Sequence, residues 1–306
     1  MKARLFLVGM MALLLAACSS AEAGGPPVTV ETGIDPDAWA LVPAGEFLMG
    51  QFEERTPVDY DYEIMVTHVT NAQFAEFLNA ALADETIHFN DEKTEILGFY
   101  PGDEFHGYRH EERIDAGDWL LYPVTEEGVR LDFDGETFAP KAGYENHPAT
   151  FVTWFGARAY CEYYEGRLPS GAEWEKAARG TEDARPYPWG FEIERNNANF
   201  YASRDPFEEG VGRQGDTTPV GYYNGETYGD YETLDSPSPY GVYDMGGNVW
   251  QWTSDVYDKQ HYRYMRGGSK GEYEHFLRVW MTNNAAPYYA SPSVGFRCAR
   301  DVDTAE

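Results

Sequence analysis

The chain has 306 residues, with 23 lysines and arginines against 52 aspartates and glutamates, so its formal net charge is −29 at pH 7. This negative field repels nucleic acids and anionic membrane surfaces, which excludes both as partners held by charge. Aromatic residues make up 16% of the chain, and glycine and proline occupy 31 and 18 positions. Such a composition is typical of a loop-rich globular protein rather than of a disordered chain.

The N-terminus has the pattern of an export signal. A basic start precedes an apolar run over residues 5–15, which is too short to span a membrane, and small residues lead to Cys18. Residues 15–18 resemble the bacterial lipobox, and the residue after the cysteine is serine, which favours the outer membrane. We predict removal of residues 1–17, lipid attachment at Cys18 and a flexible tether over residues 18–38. An ordinary secretory signal is the alternative.

The first half of the mature chain predicts strands, one helix and a long irregular stretch. Residues 39–51 alternate apolar and small side chains and predict a pair of strands joined by a turn. A helix follows, because Thr70 and Gln73 have the spacing of a capping box and the next apolar residues repeat at helical intervals. Residues 90–146 are irregular, with short strands expected around residues 131–138.

Two further helices are predicted before residue 181. The first begins near Thr153. Its expected buried face consists of Ala157, Tyr160, Cys161 and Tyr164. The second begins with a capping box of Ser170 and Glu173 and ends at Gly180. Residues 181–306 show only short strand patterns.

Three cysteines occur in the chain. With Cys18 assigned to a lipid, Cys161 and Cys298 remain, and an oxidising compartment favours a disulfide between them. Two free buried thiols are the alternative.

A series of motifs follows in order along the chain: VPAGEFLMG, VTNAQFAEFL, NHPATFVTWFGARAYCEYYEGRLPSGAEWEKAARG, YPWG, TTPVGYYNG, YGVYDMGGNVWQWTSD, RGGS and GFRCA. Together they resemble the sulfatase-modifying-factor family, which includes the formylglycine-generating enzymes. The resemblance covers residues 39–301 and leaves residues 302–306 as a tail. It implies an α+β fold with sparse regular secondary structure, related to C-type lectins, and it implies that Cys161 is bonded to Cys298.

The segment after RGGS lacks the copper-binding residues of the family's oxidases. In those enzymes two cysteines bind copper here, whereas this chain has Glu272 and Leu277 at the corresponding positions. Copper(I) requires soft thiolates, which neither residue supplies. The resemblance therefore implies the fold and a ligand cleft around Ser269, Glu272, His275, Leu277 and Arg297, but it contradicts cysteine-dependent formylglycine formation. We predict no catalytic residues and no bound copper.

The loop DMGGNVWQW predicts a structural calcium site, because hard cations prefer carboxylate, amide and carbonyl oxygens. The resemblance implies four ligands: Asp244, the carbonyls of Gly247 and Val249, and Gln251. Glutamine stands where the family usually has glutamate, so one charge is lost and weaker affinity is expected.

A second calcium site is implied by the same resemblance. It would use Asn199, the carbonyl of Phe200 and an acid from residues 205–216. Loops held by their own hydrogen bonds, without a metal, are the alternative for both sites.

Two other stretches contain possible ligands for iron or zinc. Residues 272–275 include two glutamates and a histidine, but in an extended segment the imidazole of His275 points away from the carboxylates. His106 and His110 lie near Glu112, and we interpret them as solvent-facing loop histidines. Whether the chain binds iron stays open.

Three classes of function are compatible with these patterns. The first is a noncatalytic binding or assembly lipoprotein of the envelope, with a protein, peptide or glycan as its ligand. The second is an oxidoreductase of the superfamily with non-standard, nonheme iron chemistry. The third is a diversified ligand-binding protein whose variable segment lies between RGGS and GFR, at residues 270–294. We favour the first, with membrane contact through the lipid anchor and no nucleic acid partner.

Overall fold

The computed structural model describes residues 29–208 and 215–302. The predicted leader, Cys18 and the first part of the tether lie outside these residues, as does the tail from residue 303. None of the helices in the described ranges is long and apolar enough to cross a membrane.

Three α-helices form where the sequence predicts them. They are α1 (Asn71–Ala83), α2 (Trp154–Tyr163) and α3 (Gly171–Arg179). Thr70 and Ser170 are each the N-cap of a helix with a complete capping box. The hydroxyl of the N-cap residue accepts a hydrogen bond from the backbone N–H three residues later, and the side chain of that later residue accepts one from the backbone N–H of the N-cap. These reciprocal bonds satisfy amide groups that otherwise lack partners, so the predicted helix starts are confirmed.

The apolar faces of α1 and α2 meet in the main core. The ring of Phe74 lies 6.1 Å from the rings of both Tyr160 and Phe296, measured between centroids. Cys161 is fully buried on the same face and is bonded to Cys298, as predicted. Tyr164 was wrongly assigned to this face: it is the C-cap of α2 and is 47% exposed, because the helix ends before its side chain reaches the core.

The strands of the described ranges form small sheets of two to four strands. In chain order they are β1 (Trp39–Val42), β2 (Gly45–Met49), β3 (Glu54–Val58), β4 (Tyr62–Met65), β5 (Ile87–Phe89), β6 (Glu95–Tyr100), β7 (Gly117–Pro123), β8 (Leu131–Phe133), β9 (Phe138–Pro140), β10 (Thr227–Tyr228), β11 (Tyr231–Glu232), β12 (Trp250–Tyr257), β13 (Tyr262–Arg266), β14 (Thr282–Ala285), β15 (Val294–Gly295) and β16 (Ala299–Asp301).

The first two strands do not pair with each other, so the predicted strand pair is wrong. Strand β1 pairs with β4, which also pairs with β16, while β2 forms a hairpin with β3. Pro43 begins the link between β1 and β2. A two-residue hairpin turn needs a positive φ at that position, and proline fixes φ near −65°.

Residues 90–146 are more regular than the sequence predicts. Strands β6 and β7 pair there and extend the antiparallel sheet that begins with β5, and β8 and β9 form the expected hairpin. The pairing of β6 with β7 includes a register shift after Ile96, and a long loop over residues 101–116 separates the two strands. The register shift interrupts the alternation of apolar residues, and the pairing strand lies far along the chain, so local sequence patterns do not predict this sheet.

The segment before β1 belongs to the folded domain. The hydroxyl of Thr32 donates to the Val220 carbonyl at 3.0 Å, and the Asn224 amide donates to the Thr32 carbonyl at 2.8 Å. Val30 packs against a buried cluster that includes Tyr222. Residues 30–32, which the sequence assigns to the tether, therefore pack against the domain, so the predicted domain boundary at residue 39 lies too late in the chain.

Buried cationic side chains of α3 bind backbone carbonyl groups. Arg179 donates to the carbonyls of Leu48 and Gly50, and Lys176 donates to that of Pro43. Both side chains are 0% exposed. These bonds attach α3 to the link between β1 and β2 and to the end of β2.

Candidate functional site

The segment that corresponds to the family's copper site follows β13. Gly267 and Gly268 have φ values of +94° and +71°, a region that side chains disfavour. A Cβ atom on Gly268 would lie 2.9 Å from the Phe276 carbonyl oxygen, so the chain folds back on itself here with no room for a side chain. Ser269, the next residue, is 2% exposed and points into this packed region rather than into an open cleft.

Lys270 fixes the start of the segment. Its ammonium group donates to the Pro292 carbonyl and to the Ser293 hydroxyl, both at 3.1 Å. The side chain is buried, and burial lowers the pKa of the amine to about 8. The segment is therefore bonded to the loop before β15.

At the two positions where the family's enzymes have copper-binding cysteines, the side chains of this chain pack against or bond to other parts of the protein. Leu277 is 0% exposed and packs in a small apolar cluster that includes Tyr187 and Phe200. Glu272 is half-buried, and its carboxylate accepts a hydrogen bond from the Trp250 indole at 3.3 Å. Neither position offers a soft ligand for copper.

The chain around these positions is not extended, so the expectation of alternating side chains is wrong. Residues Glu274–Leu277 form a 3₁₀ helix, and Tyr273, Glu274 and His275 are all exposed. A 3₁₀ helix turns once in about three residues, so consecutive side chains fan around it instead of alternating between two faces.

An aromatic strip lies on the surface of this segment. We define the strip as Tyr201, Tyr273 and His275. The rings of Tyr201 and Tyr273 are 4.8 Å apart, and the Tyr273 and His275 rings are stacked at 6.4 Å. Tyr201 and Tyr273 are 47% and 56% exposed, and the Tyr201 amide donates to the Glu272 carbonyl at 2.9 Å. The strip is thus both exposed and held in place by the backbone.

Arg297 does not line a cleft with these residues, so its predicted ligand role is wrong. Its side chain is 0% exposed and donates to Gln251 Oε1 at 2.7 Å, to the Met65 carbonyl at 2.9 Å and to the Tyr243 carbonyl at 2.8 Å. Burial lowers the pKa of this guanidinium to about 9. Because its partners are interior groups, Arg297 acts within the core.

Gln251 is fully bonded within the protein and does not present a calcium ligand. Its Oε1 accepts from Arg297 and from the Trp174 indole at 2.8 Å, and its Nε2 donates to the Asp244 carbonyl at 3.0 Å. Both lone-pair directions of the amide oxygen are therefore used. Gln251 is therefore removed from the predicted ligands of the first calcium site.

Calcium in the remaining part of the loop stays a prediction. Asp244 is buried and accepts from the Gly221 amide at 2.7 Å, and burial raises the pKa of its carboxyl group to about 6. His68 Nδ1 lies 4.0 Å from this carboxylate, and burial lowers the pKa of His68 well below its usual value. The carboxylate and the carbonyls of Gly247 and Val249 are the predicted ligands that remain.

The described acids of the second predicted calcium site are also engaged by the protein. Asp205 accepts from the Tyr223 hydroxyl at 2.7 Å, and Asp216 accepts from Arg130 at 3.0 Å. Asn199 donates its amide to the Asp216 carbonyl at 2.9 Å.

The carbonyl of Phe200, another predicted ligand of this site, accepts from the Ser203 amide at 3.0 Å. Residues 209–214 lie outside the described ranges. The second calcium site therefore stays a prediction as well.

The histidines of the loop over residues 101–116 do not act as a pair. His106 and His110 are both exposed, as interpreted from the sequence, and His106 Nδ1 lies 3.2 Å from Glu111 Oε1. Glu112 accepts instead from the Tyr288 hydroxyl at 2.9 Å. His106 therefore has a different carboxylate partner from the one its sequence neighbourhood suggests.

Residues 28–302 match the family described as sulfatase-modifying factor enzyme 1-like domain. The chain belongs to this family. It is 30% identical over 303 residues to the formylglycine-generating enzyme of Streptomyces coelicolor, covering 86% of this chain and 88% of that protein. The family predicted from the motifs is therefore confirmed.

Two further relatives match over only part of their own length. The inactive C-alpha-formylglycine-generating enzyme 2 of Bos taurus is 35% identical over 159 residues, which are 50% of each protein. The serine/threonine-protein kinase pkn1 of Chlamydia pneumoniae is 29% identical over 288 residues, which are 86% of this chain and 38% of that kinase. The chain thus spans half or less of the length of these two relatives.

Solved structures confirm the fold. The structure of PvdO from Pseudomonas aeruginosa matches with a TM-score of 0.53 and 23% identity, covering 92% of this chain and 100% of that chain. The predicted α+β fold of the formylglycine-generating-enzyme type is therefore correct.

Proposed function

We propose that this chain is a noncatalytic binding or assembly module of the cell envelope that does not generate formylglycine. One observation carries the proposal: Leu277, in the place of a copper thiolate, is fully buried among apolar side chains. Glu272, in the place of the other, is bonded to an indole. Oxygen activation by copper(I) needs soft sulfur ligands, which this segment does not contain.

The similarity to a relative that is named inactive supports the same proposal. It extends over 159 residues at 35% identity. Export, a lipid at Cys18 and an outer-membrane location are parts of the proposal that rest on the N-terminal sequence pattern alone.

The aromatic strip is the surface that we propose for the partner. Tyrosine side chains combine a large apolar ring with a polar tip and lose little conformational entropy on binding, so they often anchor interfaces. Tyr273 is flanked by the acidic residues Glu272 and Glu274, and the whole chain has a net charge of −29. A partner protein with a neutral or basic contact surface fits this charge best.

The first experiment tests for the missing activity. Purified protein is incubated with copper, oxygen, a thiol reductant and a cysteine-containing sulfatase peptide, and the peptide is analysed by mass spectrometry. The formylglycine-generating enzyme of Streptomyces coelicolor serves as the positive control. We expect no aldehyde product from this chain, and catalytic formation of the aldehyde would overturn the proposal.

The second experiment tests the contact surface in intact cells. A photoreactive phenylalanine derivative replaces Tyr273, and the same replacement at Tyr164 is the matched control, because these side chains are 56% and 47% exposed. Irradiation should join a discrete envelope protein to position 273 and not to position 164. No product at 273, or the same products at both positions, would contradict this assignment of the surface.

A further inference from the structure

Two loops that are distant in sequence bring two histidines and a glutamate together. His106 and Glu111 belong to the loop between β6 and β7, and His261 lies in the turn between β12 and β13. One ligand atom from each of the three residues lies within 4.8 Å of the others. This cluster lies outside the segment after β13 on which the proposed function rests.

The distances within the cluster suit a metal ion. Glu111 Oε1 lies 3.2 Å from His106 Nδ1 and 2.8 Å from His261 Nε2. Tetrahedral ligands at the usual zinc bond lengths are about 3.3 Å apart, which is close to both distances from Glu111. The two imidazole nitrogens lie within 4.8 Å of each other, so all three atoms can face one ion.

Asp103 orients His261, the buried histidine of the cluster. Its Oδ2 lies 2.9 Å from His261 Nδ1 and accepts from Arg263 at 2.7 Å. A carboxylate paired with an arginine can only accept hydrogen bonds, so Nδ1 of the imidazole carries the proton. Nε2 faces the Glu111 carboxylate at 2.8 Å, which also only accepts hydrogen bonds, so an ion bound here would take the place of the proton between the two atoms. Carboxylates commonly orient metal-binding histidines through the other ring nitrogen, as Asp103 does here.

Burial is graded across the cluster. The side chains of His261 and Glu111 are 2% and 0% exposed, whereas that of His106 is 34% exposed. The loop is held by Ile114, which is buried in the main core, and by the Tyr100 hydroxyl, which donates to Asp103 at 2.5 Å. The cluster is therefore closed on the protein side and open to solvent beside His106.

We propose that His106, Glu111 and His261 bind a divalent transition-metal ion of the zinc class and leave a coordination position open to solvent. Two imidazoles and one carboxylate are a usual ligand set for such ions. Calcium and magnesium prefer ligand sets made only of oxygen atoms, so they should not compete.

A metal-free network is the competing explanation. In that case His261 lies between two carboxylates as a buried ion pair, and Arg263 balances the second negative charge. If the cluster serves only as this network, the protein should show no saturable zinc binding that depends on His106 and Glu111, so a binding measurement separates the two explanations.

The experiment is a zinc titration by isothermal calorimetry on the full mature protein without a histidine tag, after removal of metals by a chelator. We expect saturable binding of one ion, unchanged by an excess of calcium or magnesium. His106→Ala and Glu111→Gln should each weaken binding by about tenfold or more. His110→Asn is the matched control: His110 is exposed in the same loop and has a φ of +68°, which asparagine tolerates.

The decision rests on the His106 and Glu111 variants, because His261 is buried and its replacement could unfold the protein. Thermal unfolding of each variant checks that the fold is intact. Absence of saturable zinc binding to the unaltered protein would overturn the proposal. Affinity as tight in both variants as in the unaltered protein, or an equal loss in His110→Asn, would overturn it too.

Discussion

The buried imidazole of His147 should make the fold sensitive to mild acid. His147 is 1% exposed, and its Nδ1 lies 2.9 Å from the Thr217 hydroxyl. Its Nε2 has no hydrogen-bond partner among the described residues. Burial lowers the pKa of His147 to about 4, and the opposing effects of Asp216 and Arg130 change it less.

The sign of the effect follows from this depressed pKa. The unfolded chain binds a proton near the ordinary pKa of 6.5, whereas the folded protein does so only near 4. The stability due to neutral His147 is therefore complete above the unfolded pKa and is lost as pH falls towards the folded one. At about pH 5 the linkage relation gives a loss of about 2 kcal/mol.

Urea unfolding at about pH 7.5 and about pH 5 measures this loss when the unaltered protein is compared with His147→Phe. Phenylalanine keeps an aromatic ring beside Tyr144 and Phe207, whose rings lie 5.0 and 5.5 Å from the imidazole, but it does not titrate. Other titratable groups change the free energy of unfolding equally in both proteins, so their effect cancels in the difference.

The unaltered protein should lose about 2 kcal/mol more than His147→Phe between the two pH values. His88→Ala is the control, because the His88 side chain is 53% exposed, and it should follow the unaltered protein. If His147→Phe shows the same pH dependence as the unaltered protein to within about 0.5 kcal/mol, this reasoning is refuted.

Three further predictions concern the interior. Gln251→Leu removes the side-chain acceptor of the buried Arg297, so the free energy of unfolding in urea should fall by about 3 kcal/mol, and a loss below about 1 kcal/mol would contradict the role assigned to this amide. Cys161 and Cys298 are separated by 137 positions, and their joint replacement by alanine should cost up to about 5 kcal/mol in the same assay. An unchanged urea midpoint would count against a stabilising bond. Calcium at about 1 mM should stabilise the chelator-treated protein by about 1 kcal/mol, and Asp244→Asn should abolish this gain; no gain in the unaltered protein would exclude calcium at this loop.

The helices could be predicted because their signals are local. The hydroxyls of Thr70 and Ser170 cap amides only three residues away, so the sequence spacing contains the whole interaction. Tyr164 was misplaced because the helical repeat continues past the point where α2 ends. Pairing of β1 with β4 depends on partners 20 or more residues away, and periodicity alone cannot select among them.

Sequence patterns also predict only part of the candidate site, namely the part that depends on local spacing. Counting from RGGS locates Glu272 and Leu277, and the prediction that no copper is bound rests on that count. The bonds of Gln251 depend on Arg297, 46 residues away, and no local pattern indicates them. His261 was missed altogether, because its partner Glu111 lies 150 residues earlier and neither residue belongs to a recognisable motif.

The interior guanidinium and ammonium groups of Arg179, Lys176 and Arg297 have a consequence for how this scaffold can diverge. They donate hydrogen bonds to carbonyl groups near turns and strand ends, for example those of Gly50 and Tyr243, and the donors lie in the interior rather than on the surface. Changes in the exposed loops leave these anchors untouched, so new recognition surfaces can arise at little cost in stability. Replacement of Arg179 or Arg297 would instead remove hydrogen bonds to several carbonyl groups at once, so such a change should cost more stability than a change in an exposed loop.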